Sequence, residues 1–115
     1  MSCKVSMREV AGVAVIDVSG RLTLGEGSGM LRDSIRQALN RGHRKIVVNV
    51  ADVTYIDSAG LGELVGSYAT VTNLGGQLKL LNAQHRVHDL LQITKLFTVF
   101  EPLTDEAEAI RSFKP

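Results

Sequence analysis

Apolar and polar positions alternate early in the chain: Val5 and Met7 stand among Lys4, Ser6 and Arg8. This period-two spacing predicts a strand that buries one face. Val13, Val15 and Ile16 resume after Ala11-Gly12, so positions 4–18 predict a β-hairpin with a glycine-containing turn, ended by Ser19-Gly20. The period then changes. Leu31, Ile35, Ala38 and Leu39 fall at i, i+4, i+7 and i+8, one face of a helix that Ser28 would cap and that would run to Arg41 before Gly42. Ile46 to Val50 is a nearly continuous β-branched run suited to a central strand. Leu61, Leu64, Val65 and Tyr68 form a second helical stripe, ending near Leu74 ahead of Gly75-Gly76. Gln77 to Leu81 predicts another strand, and Val87, Leu90 and Leu91 the face of a third helix. Thr98-Val99-Phe100 predicts a short edge strand, and Thr104 a cap for a last helix with Asp105 and Glu106 in its first turn.

A hairpin followed by alternating helices and strands predicts an α/β fold with a mixed sheet opened by that hairpin. Right-handed crossovers from positions 28, 60 and 84 would place the helices mainly on one face. Residues 1–115 read as one domain, without linker, repeat or low-complexity tract. Composition refines this picture. Hydrophobic residues make up 44% and charged residues 22%, as in a folded globular domain. Aromatics are 4% with no tryptophan, so the core must be aliphatic. Thirteen Lys and Arg against twelve Asp and Glu leave a charge of +1, which argues against direct nucleic-acid binding. A single cysteine, Cys3, excludes an intrachain disulfide and a cysteine-based zinc site. No apolar run reaches membrane-spanning length, and Met1 to Lys4 does not open a signal peptide. The expectation is a cytoplasmic protein with no membrane span.

Chemistry concentrates in Tyr55-Ile56-Asp57-Ser58-Ala59-Gly60-Leu61-Gly62, where the central strand meets the second helix. The first turn of a helix has N–H groups without intrahelical partners. In one reading Asp57 or Ser58 caps that turn, while Gly60 and Gly62 permit close packing. In the other, Ser58 accepts a phosphate at the positive helix end, adding about −1.5 to −2 charges beside Asp57. The helix would tolerate that charge; a partner docked over the tip would not.

Enzymatic alternatives lack essential residues. A nucleophile elbow needs glycine where Ile56 stands. Gly60, Gly62 and Gly66 are spaced one residue too far for a dinucleotide fingerprint, and no acid follows Leu81-Asn82-Ala83. Gly25-Glu26-Gly27-Ser28-Gly29 lacks the Gly-Lys-Ser/Thr of a P-loop and reads as a flexible loop opening a helix. His85 and His88 share a helix face but have no third or fourth ligand. Arg41, His43, Arg44 and Lys45 lie just past a helix C-terminus, where cations are favoured without any ligand. The chain therefore reads as a non-enzyme with no cofactor, metal or catalytic residue.

Asp57 to Gly62, preceded by a hydrophobic strand and Tyr55-Ile56, resembles the signature loop of STAS-domain anti-sigma factor antagonists. The resemblance extends through the opening hairpin, Gly20-Arg21-Leu22, Ile46 to Val50, and Gly75-Gly76-Gln77-Leu78. It implies a single STAS domain working by partner switching. An unphosphorylated antagonist binds an anti-sigma factor that is also a serine kinase, and so releases the sigma factor. Phosphorylation of the antagonist weakens that binding, and a metal-dependent serine phosphatase resets it. Ser58 matches the family's phosphorylated serine, and Ala59 leaves it the only hydroxyl at the tip. Asp57, Ala59, Gly60, Leu61 and Gly62, with Thr23 and Gly25 of the preceding glycine-rich loop, would form the partner-binding surface. Two departures stand out: Gly20-Arg21-Leu22-Thr23 lacks the acid that relatives often carry there, and residues 25–29 are unusually glycine-rich. The resemblance also admits a scaffold or accessory subunit of a signalling complex or transporter, never phosphorylated.

Overall fold

Ala11 and Gly12 have φ of 52° and 80°, the paired positive values of a tight hairpin turn matched to strand twist. They join β1 (Cys3–Val10) to β2 (Val13–Leu22) in antiparallel register, with Val10 opposite Val13 and Cys3 opposite Gly20. The computed structural model describes residues 3–100 and 102–113. After the hairpin come α1 (Glu26–Asn40), β3 (Lys45–Ile56), α2 (Ser58–Asn73), β4 (Gln77–Leu81) and α3 (His85–Thr94). A 3₁₀ turn (Leu96–Thr98), β5 (Pro102–Leu103) and α4 (Glu106–Arg111) complete the order. The sheet runs β1-β2-β3-β4-β5, antiparallel at its first pair and parallel at the others.

Strand alternation sends neighbouring residues to opposite faces. Ala14, Ile16 and Val18 of β2 and Ile46, Val48 and Val50 of β3 are buried with Leu31, Ile35, Leu64, Val71, Val87 and Leu91 of α1, α2 and α3. Phe100 closes this cluster, its ring edge-on to Tyr68 at 5.6 Å. Val13, Val15, Val47 and Leu81 form the other cluster with Ala109 of α4 and Phe113. The helices thus lie mainly on one face, as expected, and α4 covers part of the other.

Four local expectations are refined or corrected. The hairpin pairing ends at Ser19-Gly20 as expected, with Gly20 opposite Cys3, but β2 itself runs on. Register shifts against β3 fall between Asp17 and Ser19 and between Gly20 and Arg21, and pairing continues to Leu22 opposite Ile56. The glycine, at φ 87°, accommodates the irregularity. Ser28 does not cap α1, which begins at Glu26 after Gly25, so most of the glycine-rich segment is helix rather than loop. Ser28 is buried in the first turn, and its Oγ donates to the Gly25 carbonyl at 3.4 Å. Gly27 permits that close start, since a Cβ there would lie 2.7 Å from the Arg21 carbonyl oxygen. Thr98-Val99-Phe100 is not a strand: burial of Phe100 turns the chain inward through the 3₁₀ turn, and the edge strand is Pro102–Leu103. Asp105 rather than Thr104 caps α4, accepting from the Ala107 N–H at 3.3 Å.

Candidate functional site

The last residues of β2 and β3, Leu22 and Ile56, pair side by side, and both chains then leave the sheet for helices. The Asp57 N–H donates to the Leu22 carbonyl at 3.4 Å. Its carboxylate ties the two exits together: Oδ1 accepts from the Gly60 N–H at 2.8 Å, and Oδ2 from the Leu24 N–H at 3.1 Å. Asp57 is therefore the cap of α2, and one side chain holds the β2–α1 loop against the helix start. The Gly60 and Leu24 bonds, in that order of effect, keep this carboxyl below its ordinary range.

Ser58 is the first residue of α2 and is exposed. Its hydroxyl has no hydrogen-bond partner among the described residues. Of the two caps considered for this turn, Asp57 does the capping and Ser58 stands clear. The two glycines also separate. A Cβ on Gly60 would run into the Leu22 carbonyl oxygen and come within 3.0 Å of Ile56 Cγ1, so the helix can sit here only without a side chain. Gly62 faces open space, with nothing within 4 Å of an added Cβ. Close packing thus accounts for Gly60 and not for Gly62.

The residues singled out from the sequence share this corner with unequal access. Ser58 and Gly62 are exposed, and Ala59 is half-buried. Gly60 and Leu61 are buried, which suits them to seating the helix rather than touching a partner. Gly25 is exposed at φ 94°, while Thr23 is half-buried, its carbonyl accepting from the Ser28 N–H at 3.0 Å. Between them Leu24 projects with 78% of its surface exposed. Sequence reasoning passed over Leu24. The available signal was an apolar residue just ahead of Gly25, outside the stripe begun by Leu31.

Other candidates resolve differently. Arg44 Nη1 donates to the carbonyls of Leu39 and His43 at 3.2 and 2.9 Å, and His43 Nε2 lies 3.4 Å from Glu9 Oε1. The basic cluster thus includes a cap for the end of α1. His88 is exposed with Asp89 Oδ1 at 3.8 Å, and the His85 side chain lies outside the described residues. Among the described residues, no group of three or more His, Cys, Asp and Glu is arranged to hold a metal ion. No described helix is long and apolar enough to cross a membrane.

The STAS domain family model matches residues 4–109. An anti-sigma F factor antagonist of Paenibacillus polymyxa is 28% identical over 111 residues, 96% of this chain and 94% of that protein. An anti-sigma factor antagonist from Mycobacterium paratuberculosis has a similar solved structure: TM-score 0.83, 18% identity, and coverage of 96% of this chain and 93% of that one. The phosphorylated form of the Bacillus cell fate determinant SpoIIAA matches with TM-score 0.74 and 22% identity, over 96% of this chain and 100% of that one. The signature loop, the strand order and these matches lead to one conclusion: the chain belongs to the STAS domain family, and along nearly its whole length it is similar to anti-sigma factor antagonists.

Proposed function

We propose that this protein is an anti-sigma factor antagonist, a binding module rather than an enzyme, controlled by phosphorylation of Ser58. The unphosphorylated form binds an anti-sigma factor that is also a serine kinase and releases the sigma factor. The kinase phosphorylates Ser58, and a metal-dependent serine phosphatase removes the phosphate. The observation that carries this reading is the division of labour at the tip. Asp57 does the capping, leaving the Ser58 hydroxyl exposed and without a partner. Asp57 also occupies the Gly60 N–H. A phosphoryl group on Ser58 would therefore meet a neighbouring carboxylate at a helix start that is already capped. Its charge of about −1.5 to −2 would face an incoming partner and oppose docking by desolvation and repulsion.

The test uses the anti-sigma factor kinases encoded in the same genome, with binding measured by calorimetry and phosphorylation mapped by mass spectrometry. Wild type is expected to gain one phosphate, on Ser58, and to bind at least tenfold more weakly afterwards. Ser58→Ala should bind as unmodified wild type and resist switching. Ser58→Asp should weaken binding only partly, having about half the charge of phosphate. Wild-type binding by both variants, with Ser58 unmodified beside a functional kinase control, would overturn the proposal in favour of a scaffold role.

A further inference from the structure

Arg21 and Tyr55 sit opposite each other in the β2–β3 register, one pair before Leu22 and Ile56. The Arg21 guanidinium carbon lies over the Tyr55 ring, 4.6 Å from its centroid. Arg21 is exposed, yet its guanidinium forms no ion pair among the described residues. The exposed acids closest in register and sequence, Asp52 opposite Ser19 and Glu26 at the start of α1, do not pair with it. Arg8 and Arg32, by contrast, are each tied to a carboxylate of this chain.

The cation–π contact favours a guanidinium position over the ring while its N–H groups remain available to a partner. A fork held in this way loses less side-chain entropy on binding a carboxylate than a mobile lysine would. Three residues further along, the β2–α1 loop presents Leu24, 78% exposed, while the Asp57 carboxylate is turned inward onto two backbone N–H groups. The end of β2 thus carries an unpaired, ring-supported cation three residues before Leu24, the apolar knob of the loop that Asp57 ties to the Ser58 tip.

We infer that Arg21 is a specificity determinant of the docking surface, and that it selects a protein partner whose surface carries an Asp or Glu beside an apolar socket for Leu24. This rests on the reading of the tip as a protein-docking site and names the chemistry of the partner it accepts. Leu24 supplies a desolvated contact, and a bidentate Arg–carboxylate pair at its edge sets register and rejects surfaces that place a lysine or arginine there.

The test is calorimetry of the unphosphorylated chain against the anti-sigma factor kinases of the same genome. Arg21→Glu is expected to bind at least tenfold more weakly than wild type, and Arg21→Lys severalfold more weakly because it loses the fork. Leu24→Ser should also bind at least tenfold more weakly. All three should unfold at the wild-type urea midpoint. Reversing single Asp or Glu residues on the partner to Lys should yield one position that weakens wild type and restores Arg21→Glu. Arg21→Glu binding within twofold of a tightly binding wild type would overturn this inference and leave the proposed function standing, as would a partner scan in which no reversal restores it. If wild type binds none of the kinases, the proposed function fails and this inference fails with it.

Discussion

Asp57 and Gly60 meet at one contact and stabilise it by opposite means, one by supplying atoms and the other by lacking them. Replacing Asp57 with Ala removes the cap of α2 and the tether to the Leu24 N–H, and should lower the free energy of unfolding by about 1–2 kcal/mol. The depressed Asp57 carboxyl sets the sign of the pH dependence. Its contribution is present above the unfolded aspartate value of about 4 and disappears as pH falls through and below that range. Gly60→Ala forces a methyl group onto the Leu22 carbonyl and should cost about 3 kcal/mol. Gly62→Ala meets open space and should stabilise the exposed helix by about 0.5–1 kcal/mol. Urea denaturation of the three variants checks these values. In the sequence the two glycines look alike. They differ because the crowding atom at Gly60 comes from the end of β2, a neighbour that only pairing with β3 brings into place.

At the scale of elements, α4 is fastened by charge as well as by apolar contact. Arg8 of β1 donates from Nε to Asp17 Oδ2 at 2.7 Å and from Nη1 to Glu106 Oε2 at 2.9 Å. Asn49 of β3 adds a bond to Asp17 Oδ1 at 2.9 Å. Hydrogen bonding to Arg8 holds the Asp17 and Glu106 carboxyls below their ordinary range. Groups depressed in the folded state stabilise it above their unfolded values of about 4 and cease to do so as pH falls through and below them. Arg8→Gln should therefore cost about 1 kcal/mol at pH 7, a modest sum because the groups are partly exposed. Urea titrations at pH 7 and at about pH 3 should show a smaller difference from wild type at the lower pH. Helix α2 carries a separate expectation. Ser58→Asp puts a carboxylate in the first turn of a helix already capped by Asp57, so attraction to the dipole opposes repulsion from its neighbour. The net change in stability should be under about 1 kcal/mol by the same urea assay, which separates the binding defect of this variant from any folding defect.

For the molecule as a whole, one sheet serves two clusters. Val47 and Val48 are adjacent in β3 and both fully buried, one beneath α4 and Phe113 and the other beneath the α1–α3 layer. Neither cluster can lose its floor without disturbing the other, so unfolding should be one cooperative transition. Phe100→Ala should cost about 3–5 kcal/mol. Phe113→Ala should cost less, since its ring keeps 8% exposure at the margin of the smaller cluster. Far- and near-ultraviolet circular dichroism should report coincident midpoints in both variants. An early far-ultraviolet phase in Phe113→Ala would instead identify α4 as an independently melting unit.

The sequence by itself determined the element order, the aliphatic core and the signature loop, because strand alternation, helical periodicity and turn glycines are local properties written within a few residues. Val87, Leu90 and Leu91 marked α3, and Ala11-Gly12 marked the hairpin turn, without reference to anything distant. Tertiary structure decided what depended on contacts across the chain. Pairing with β3 carried β2 past Ser19-Gly20 to Leu22, and burial of Phe100 converted an expected strand into a 3₁₀ turn. It also decided which parts of the tip are outside. Asp57 turned inward onto Leu24 and Gly60, Leu61 went into the core, and Ser58, Leu24 and Arg21 remained at the surface. Local patterns report how a segment likes to fold, whereas exposure and pairing depend on which other segment arrives beside it.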